Sequence, residues 1–151
     1  MDLGWDREKQ FAHFKQAKQL EPKYFGYDVA LSRYLQPRWH GDDGEWEEVA
    51  ETVAKEPNGL GWAGYARVVW SQSEYVHNVF SETKASWPET KQGFELLRKQ
   101  YPDSLEILNG FCSLACEAKD RAFAKQLFQE INRRMILPIW ESKKRFIKNQ
   151  N

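Results

Sequence analysis

Three prolines divide the chain where one helical pattern ends and another begins. Pro22, Pro57 and Pro102 each follow an apolar helical run and precede a new one. Because proline has no N–H to donate within a helix, each site predicts a helix end followed by a new start. Pro22 and Pro57 are 35 residues apart, a period within the range of about 20 to 50 residues seen in helical-repeat proteins. The prolines therefore predict stacked pairs of helices.

The spacing of apolar residues supports an all-α fold. Trp46, Val49, Ala50, Val53 and Ala54 recur at the intervals that place side chains on one face of a helix. Alternation typical of strands is missing from the sequence. We predict a single domain over residues 1–151, with about seven helices.

Two segments depart from the repeat. Pro57 and Pro102 are 45 residues apart, about ten residues more than the first period. The surplus falls in residues 76–86, which we interpret as an inserted loop. Residues 138–151 are interpreted as a basic C-terminal cap or tail that packs through Trp140 and Phe146.

Composition limits the classes of partner. The chain carries 22 Lys and Arg against 22 Asp and Glu, so its overall charge does not favour nucleic acid. An apolar stretch long enough to span a membrane is absent from the sequence, as is a signal-peptide core. We therefore expect a cytoplasmic protein, in which Cys112 and Cys116 are reduced and serve as small core residues.

Residues 104–134 resemble one tetratricopeptide motif. Its first helix is matched by Leu108, Phe111, Cys112 and Ala115, and its second by Ala124, Phe128 and Ile131. Most of the chain also resembles a group of bacterial domains of unknown function, through residues 22–24, 35–41, 65–67, 87, 92–94 and 101–104. The tetratricopeptide resemblance implies an α-α superhelix, interrupted here by the insertion, whose first helices line a concave face that binds peptides.

The register implied by this resemblance selects candidate partner-binding residues. On the concave face it places Arg33, Gln36, Gln72, Glu106, Asn109 and Ser113. Asn109 is suited to hydrogen-bonding an extended peptide backbone. The rigid turn at Pro37 adds Arg38 and Trp39, with two interpretations open: Trp39 packs between helix pairs, or the pair forms an exposed binding hot spot.

The motifs in the sequence indicate a general class of function and no specific activity. Motifs for nucleophilic catalysis, phosphate binding or zinc binding are missing from the sequence, and no cofactor is expected. We predict a non-catalytic module that binds a protein or peptide. The alternative is a metal-dependent enzyme or metal-binding protein that uses His40, Asp42 and Asp43. Self-association through the basic tail or a terminal helix face is a further possibility.

Overall fold

The structure is a computed structural model that describes residues 6–141. Within that range the regular secondary structure is entirely helical, without strands. The helices are α1 (Arg7–Leu20), α2 (Phe25–Tyr34), α3 (Glu45–Lys55), α4 (Trp62–Gln72), α5 (Val79–Glu82), α6 (Trp87–Gln100), α7 (Leu105–Glu117) and α8 (Arg121–Ile131). A 3-10 turn, Ser73–Tyr75, follows α4, and residues 137–141 are helical as well.

Helix starts are encoded by capping side chains. Ser86 accepts from the Glu89 N–H at the start of α6, with Pro88 in the first turn. Ser104 accepts from the Ile107 N–H, and Asp120 from the Phe123 N–H, at 3.2 and 3.3 Å. These bonds satisfy amides that have no partner inside the helix, which is why the boundaries follow the sequence closely.

Consecutive helices pack against one another along the chain. α2 packs on α3 and α4, α3 on α4, α4 on α6, α6 on α7, and α7 on α8. The most extensive contact, between α4 and α6, depends on Gly93, because a Cβ there would lie 2.1 Å from the Trp62 carbonyl oxygen. Beside this crossing, Phe94 and Phe111 stack with centroids 4.9 Å apart at the centre of the core.

The insertion contains a turn of helix that the sequence did not predict. Within residues 76–86, Val79 is fully buried and begins α5. Asn78 caps α5 by accepting from the N–H groups of Phe80 and Ser81. Its amide also donates to the Glu117 carbonyl at 2.7 Å. The segment is therefore anchored to the end of α7 and is not a free loop.

The structure tests two further predictions, the C-terminal cap and the core position of the two cysteines. Trp140 packs against the core as predicted, whereas Phe146 and the rest of the predicted basic cap beyond residue 141 lie outside the described residues. Cys112 is buried, but Cys116 is exposed, so its interpretation as a core residue was wrong. Cys116 shares a helix face with Cys112 but lies in the last turn of α7, beyond the buried run 107–115.

Candidate functional site

The eight predicted partner-binding residues fall into an exposed group and a buried group. Arg33, Arg38, Trp39 and Glu106 are exposed. Gln36, Gln72, Asn109 and Ser113 retain only 5, 1, 0 and 4% of their accessible surface. The register therefore did not predict exposure for half of the set, because other parts of the chain cover those positions.

Gln36 and Gln72 bond to each other inside the protein. The Gln36 Nε2 donates to the Gln72 Oε1 and so connects the turn after α2 to the end of α4. The Gln72 Nε2 is buried and has no hydrogen-bond partner among the described residues. Their arrangement holds two segments of the fold together, which corrects the expectation that both side chains lie open on a face.

Asn109 is buried beneath the chain's own C-terminal segment, residues 134–141. Its Nδ2 donates to the Leu105 carbonyl at 2.7 Å and to the Arg134 carbonyl at 3.3 Å. Its Oδ1 accepts from the Ile136 N–H at 3.1 Å and the Trp140 indole N–H at 2.9 Å. Asn109 does bind an irregular stretch of backbone, but that backbone belongs to the same chain. The expectation that Asn109 is open to a partner is corrected accordingly.

The turn after α2 presents an exposed aromatic and cationic surface. Trp39 retains 48% of its accessible surface and meets the edge of Tyr75 with ring centroids 5.5 Å apart. The Arg33 guanidinium lies over the same Tyr75 ring at 5.9 Å. We call Arg33, Arg38, Trp39 and Tyr75 the turn surface. Of the two interpretations of Trp39, the structure favours the exposed one.

The backbone of the turn is fixed by local hydrogen bonds. The N–H groups of Trp39 and Gly41 both donate to the Gln36 carbonyl, at 2.9 and 3.1 Å. His40 stacks on Tyr34 with centroids 4.5 Å apart. These contacts hold Trp39 on the outside of a rigid turn, so little conformational freedom remains for a partner to restrict.

Beside the turn surface lies a groove of about 540 Å³ between the turn and the insertion. Its lining is mixed in charge, with Arg38 and Lys84 facing Asp43, Glu47 and Glu82. The groove is lined by residues 36–38, 43, 44, 46, 47, 75, 76 and 81–84. The turn after α2 and the insertion, residues 76–86, thus line the same groove.

Charges at the turn and on α2 are partly neutralised within the protein. Hydrogen bonding by Arg7 holds the pKa of the Glu45 carboxyl below its usual value. Within α2, burial raises the pKa of Asp28, opposed by Lys18 at 3.0 Å. By contrast, neither Arg33 nor Arg38 forms an ion pair with another described residue.

The residues of the alternative metal site, His40, Asp42 and Asp43, lie on the same turn. The His40 ring is stacked on Tyr34, and the Asp42 N–H donates to the Glu45 carboxylate at 2.7 Å. Across residues 6–141, no group of three or more His, Cys, Asp or Glu side chains converges in a way that could hold a metal ion. His40, Asp42 and Asp43 are therefore not arranged as a ready-made ligand set.

Tyr75 was missed by the sequence reasoning. It ends the 3-10 turn after α4 and lies 36 residues along the chain from Trp39. Only the tertiary packing of the turn against the end of α4 brings the two rings together. No periodicity in the sequence signals this pairing.

No family model, curated protein or solved structure matches the chain. None of the helices within residues 6–141 is both long and apolar enough to cross a membrane.

Proposed function

We propose that the chain is a non-catalytic, tetratricopeptide-like helical-repeat module that binds an acidic segment of a protein partner at the turn surface. The resemblance of residues 104–134 to a tetratricopeptide motif supports the repeat. So does the packing of the longer helices in chain order, α1 on α2, α2 on α3, α3 on α4, α4 on α6, α6 on α7 and α7 on α8. Repeat modules of this kind stack short helical units and use the exposed surfaces for binding.

The observation that carries the proposal is an exposed tryptophan beside two exposed arginines that form no ion pair with any residue in the described range 6–141. Trp39 and Arg33 share the Tyr75 ring, and Arg38 adjoins Trp39 in sequence. Tryptophan, tyrosine and arginine dominate the binding energy of protein interfaces. Arginine also forms paired hydrogen bonds with carboxylates. A partner with acidic side chains therefore complements the turn surface.

The groove beside the turn surface provides room for such a segment to continue. Arg38 borders both features, and Lys84 contributes a second cation to the groove, beside Gly44. Glu47 accepts from the Lys84 backbone N–H at 3.3 Å and so fixes the insertion beside the turn. We propose that the groove receives backbone and polar groups of the partner, while the turn surface supplies most of the affinity.

A cytoplasmic location belongs to the same proposal. Both cysteines are free thiols, which fits a compartment where thiols are kept reduced. A bacterial origin follows only from the resemblance of the chain to bacterial domains. Neither point bears on the choice of binding surface.

The test is capture of a partner from the source lysate with a matched pair of charge-reversal variants. The turn variant combines Arg33→Glu with Arg38→Glu. The control combines Arg121→Glu with Lys125→Glu on α8, where both residues are exposed and the change in net charge is the same. We expect the turn variant to lose the captured partner and the control to retain it, with weaker capture by the wild type at high salt.

Equal capture by the two variants would show that the partner binds elsewhere. Loss in both would show that net charge alone drives retention. Trp39→Ala provides an uncharged check, because it should also lose the partner while remaining folded. Circular dichroism of each variant establishes that loss of capture is not loss of fold.

A further inference from the structure

The C-terminal segment, residues 134–141, packs on the ends of α7 and α8, where Arg134 donates to the carbonyls of Glu130 and Ile131 and Asn109 lies beneath the segment. Asn109 bonds its backbone at Arg134 and Ile136 and its indole at Trp140, so both polar atoms of one amide are engaged. Trp140 also stacks on Phe128 of α8 with centroids 5.2 Å apart. The segment therefore carries its own anchor into a preformed site on α7 and α8.

The return of the chain onto this site passes through a strained turn. Asn132 and Arg133 both have positive φ, at 45° and 68°. Asparagine tolerates this left-handed region, whereas for arginine it is unfavourable by about 1–2 kcal/mol. Short, strained hinges favour exchange of the following segment between molecules. The strain falls immediately before the docked residues.

The outer side of the docked segment is apolar. Met135 and Leu137 are exposed, the latter with 62% of its accessible surface, and Phe128 beside Trp140 is exposed as well. The end of a helical stack that leaves apolar side chains in solvent is a surface suited to another protein. A second copy of the chain carries the same segment and the same docking site, so each molecule can bind the segment of the other.

We propose that residues 134–141 exchange between two copies of this chain, each segment docking on Asn109 and Phe128 of the other molecule. Exchange preserves every bond that Asn109 makes in the closed form. It opens the strained turn and brings the exposed Met135 and Leu137 of two chains close to one another. The two contacts are equivalent, so the assembly closes as a symmetric dimer. This surface is distinct from the turn surface and does not depend on the partner proposed there.

The experiment measures the mass of the full chain by sedimentation equilibrium over an approximately hundredfold range of concentration. Arg133→Pro fixes φ near −65° and so forbids the closed turn. Among the described residues, no backbone hydrogen bond is donated by the Arg133 N–H, so the substitution acts through φ. Arg133→Gly is the matched control, because glycine accepts positive φ and relaxes the closed form.

We expect Arg133→Pro to raise the dimerisation constant at least about tenfold, and Arg133→Gly to lower it. Adding Trp140→Ala to Arg133→Pro should return the chain to a monomer. A folded Arg133→Pro variant that stays monomeric at every concentration would overturn the proposal. A dimer that survives Trp140→Ala would overturn it as well, since another surface would then be responsible.

Mixing two variants keeps the test decisive if Arg133→Pro does not fold. A chain with Asn109→Ala keeps an intact segment, and a chain with Trp140→Ala keeps an intact docking site. An equimolar mixture should form a heterodimer that neither chain forms with itself. A mixture that contains only monomers would contradict exchange.

Discussion

The α7 end of the molecule and the turn after α2 differ in how their polar groups find partners. At α7, Asn109 is fully buried and its amide is satisfied by the backbone and indole of residues 134–141. At the turn, Arg33 and Arg38 are exposed and form no ion pair within residues 6–141. A neutral amide can be satisfied by the nearest main chain, because every residue except proline offers both a donor and an acceptor. The two exposed guanidinium groups are solvated by water, and none of the carboxylates within residues 6–141 forms an ion pair with them.

The comparison assigns different roles to residues that the sequence grouped together. Asn109, Gln36 and Gln72 stabilise the fold, whereas Arg33, Arg38 and Trp39 are available to a partner. Loss of the first set should therefore lower stability, and loss of the second should lower binding. The predictions below test that division.

The largest effect is expected for Asn109→Ala. The change leaves the Ile136 N–H and the Trp140 indole N–H without their acceptor, and we expect the free energy of unfolding to fall by about 2–3 kcal/mol. Trp39→Ala, at an exposed side chain, should change it by at most about 0.5 kcal/mol. Urea denaturation midpoints of both variants measure the difference. Similar losses of unfolding free energy in Asn109→Ala and Trp39→Ala would show that the two side chains do not differ in their contribution to stability.

A smaller effect is expected for the buried glutamine pair. Gln72→Met removes the acceptor of the Gln36 amide and should lower the unfolding free energy by about 1–2 kcal/mol. Gln36→Met combined with Gln72→Met should recover much of that loss, because no unpaired amide then remains. Thermal denaturation of the two single variants and the double variant completes the cycle. Additive losses would show that the two side chains do not depend on each other.

The smallest effect concerns Tyr65, a buried side chain that links α4 to the start of α6. Its hydroxyl accepts from the Ser86 N–H at 3.0 Å, so Tyr65→Phe should lower the unfolding free energy by about 1 kcal/mol at neutral pH. Burial raises the pKa of Tyr65 well above its usual value. The unfolded chain therefore loses this proton first, near pH 10, and stability falls as pH rises further.

Tyr65→Phe should remove that part of the alkaline loss. Unfolding free energies measured from pH 9 upward should decline less steeply for the variant than for the wild type. Parallel declines would mean that Tyr65 ionises equally in the folded and unfolded states. The burial of Tyr65 would then contribute nothing to the pH dependence of the unfolding free energy.

The helices could be predicted from sequence because their signals are local. The prolines and the apolar spacing each act within a few residues, and α1, α3 and α6 each end two residues before Pro22, Pro57 and Pro102. The helical turn in residues 76–86 was missed because α5 is only four residues long, too short for a helical period to show in the sequence. A local signal is the Asn78 cap, and further contacts come from Glu117, 39 residues from Asn78.

The candidate site was predictable only in part for the same reason. Pro37, Arg38 and Trp39 could be recognised as an unusual turn, but Tyr75 could not be assigned to it. For Asn109, the chemistry of backbone recognition was inferred correctly and its partner was not. Helical periodicity predicts which direction a side chain points, but does not reveal which other segment covers it.

The sequence by itself determined that residues 6–141 are helical without strands, and that helices end just before Pro22, Pro57 and Pro102. The tertiary structure alone decided which polar side chains remain open. It buried Asn109 beneath residues 134–141, paired Gln36 with Gln72, and left Arg33 and Trp39 in solvent beside Tyr75. The physical reason is that capping and periodicity act over a few residues, whereas burial depends on contacts between segments far apart in the chain.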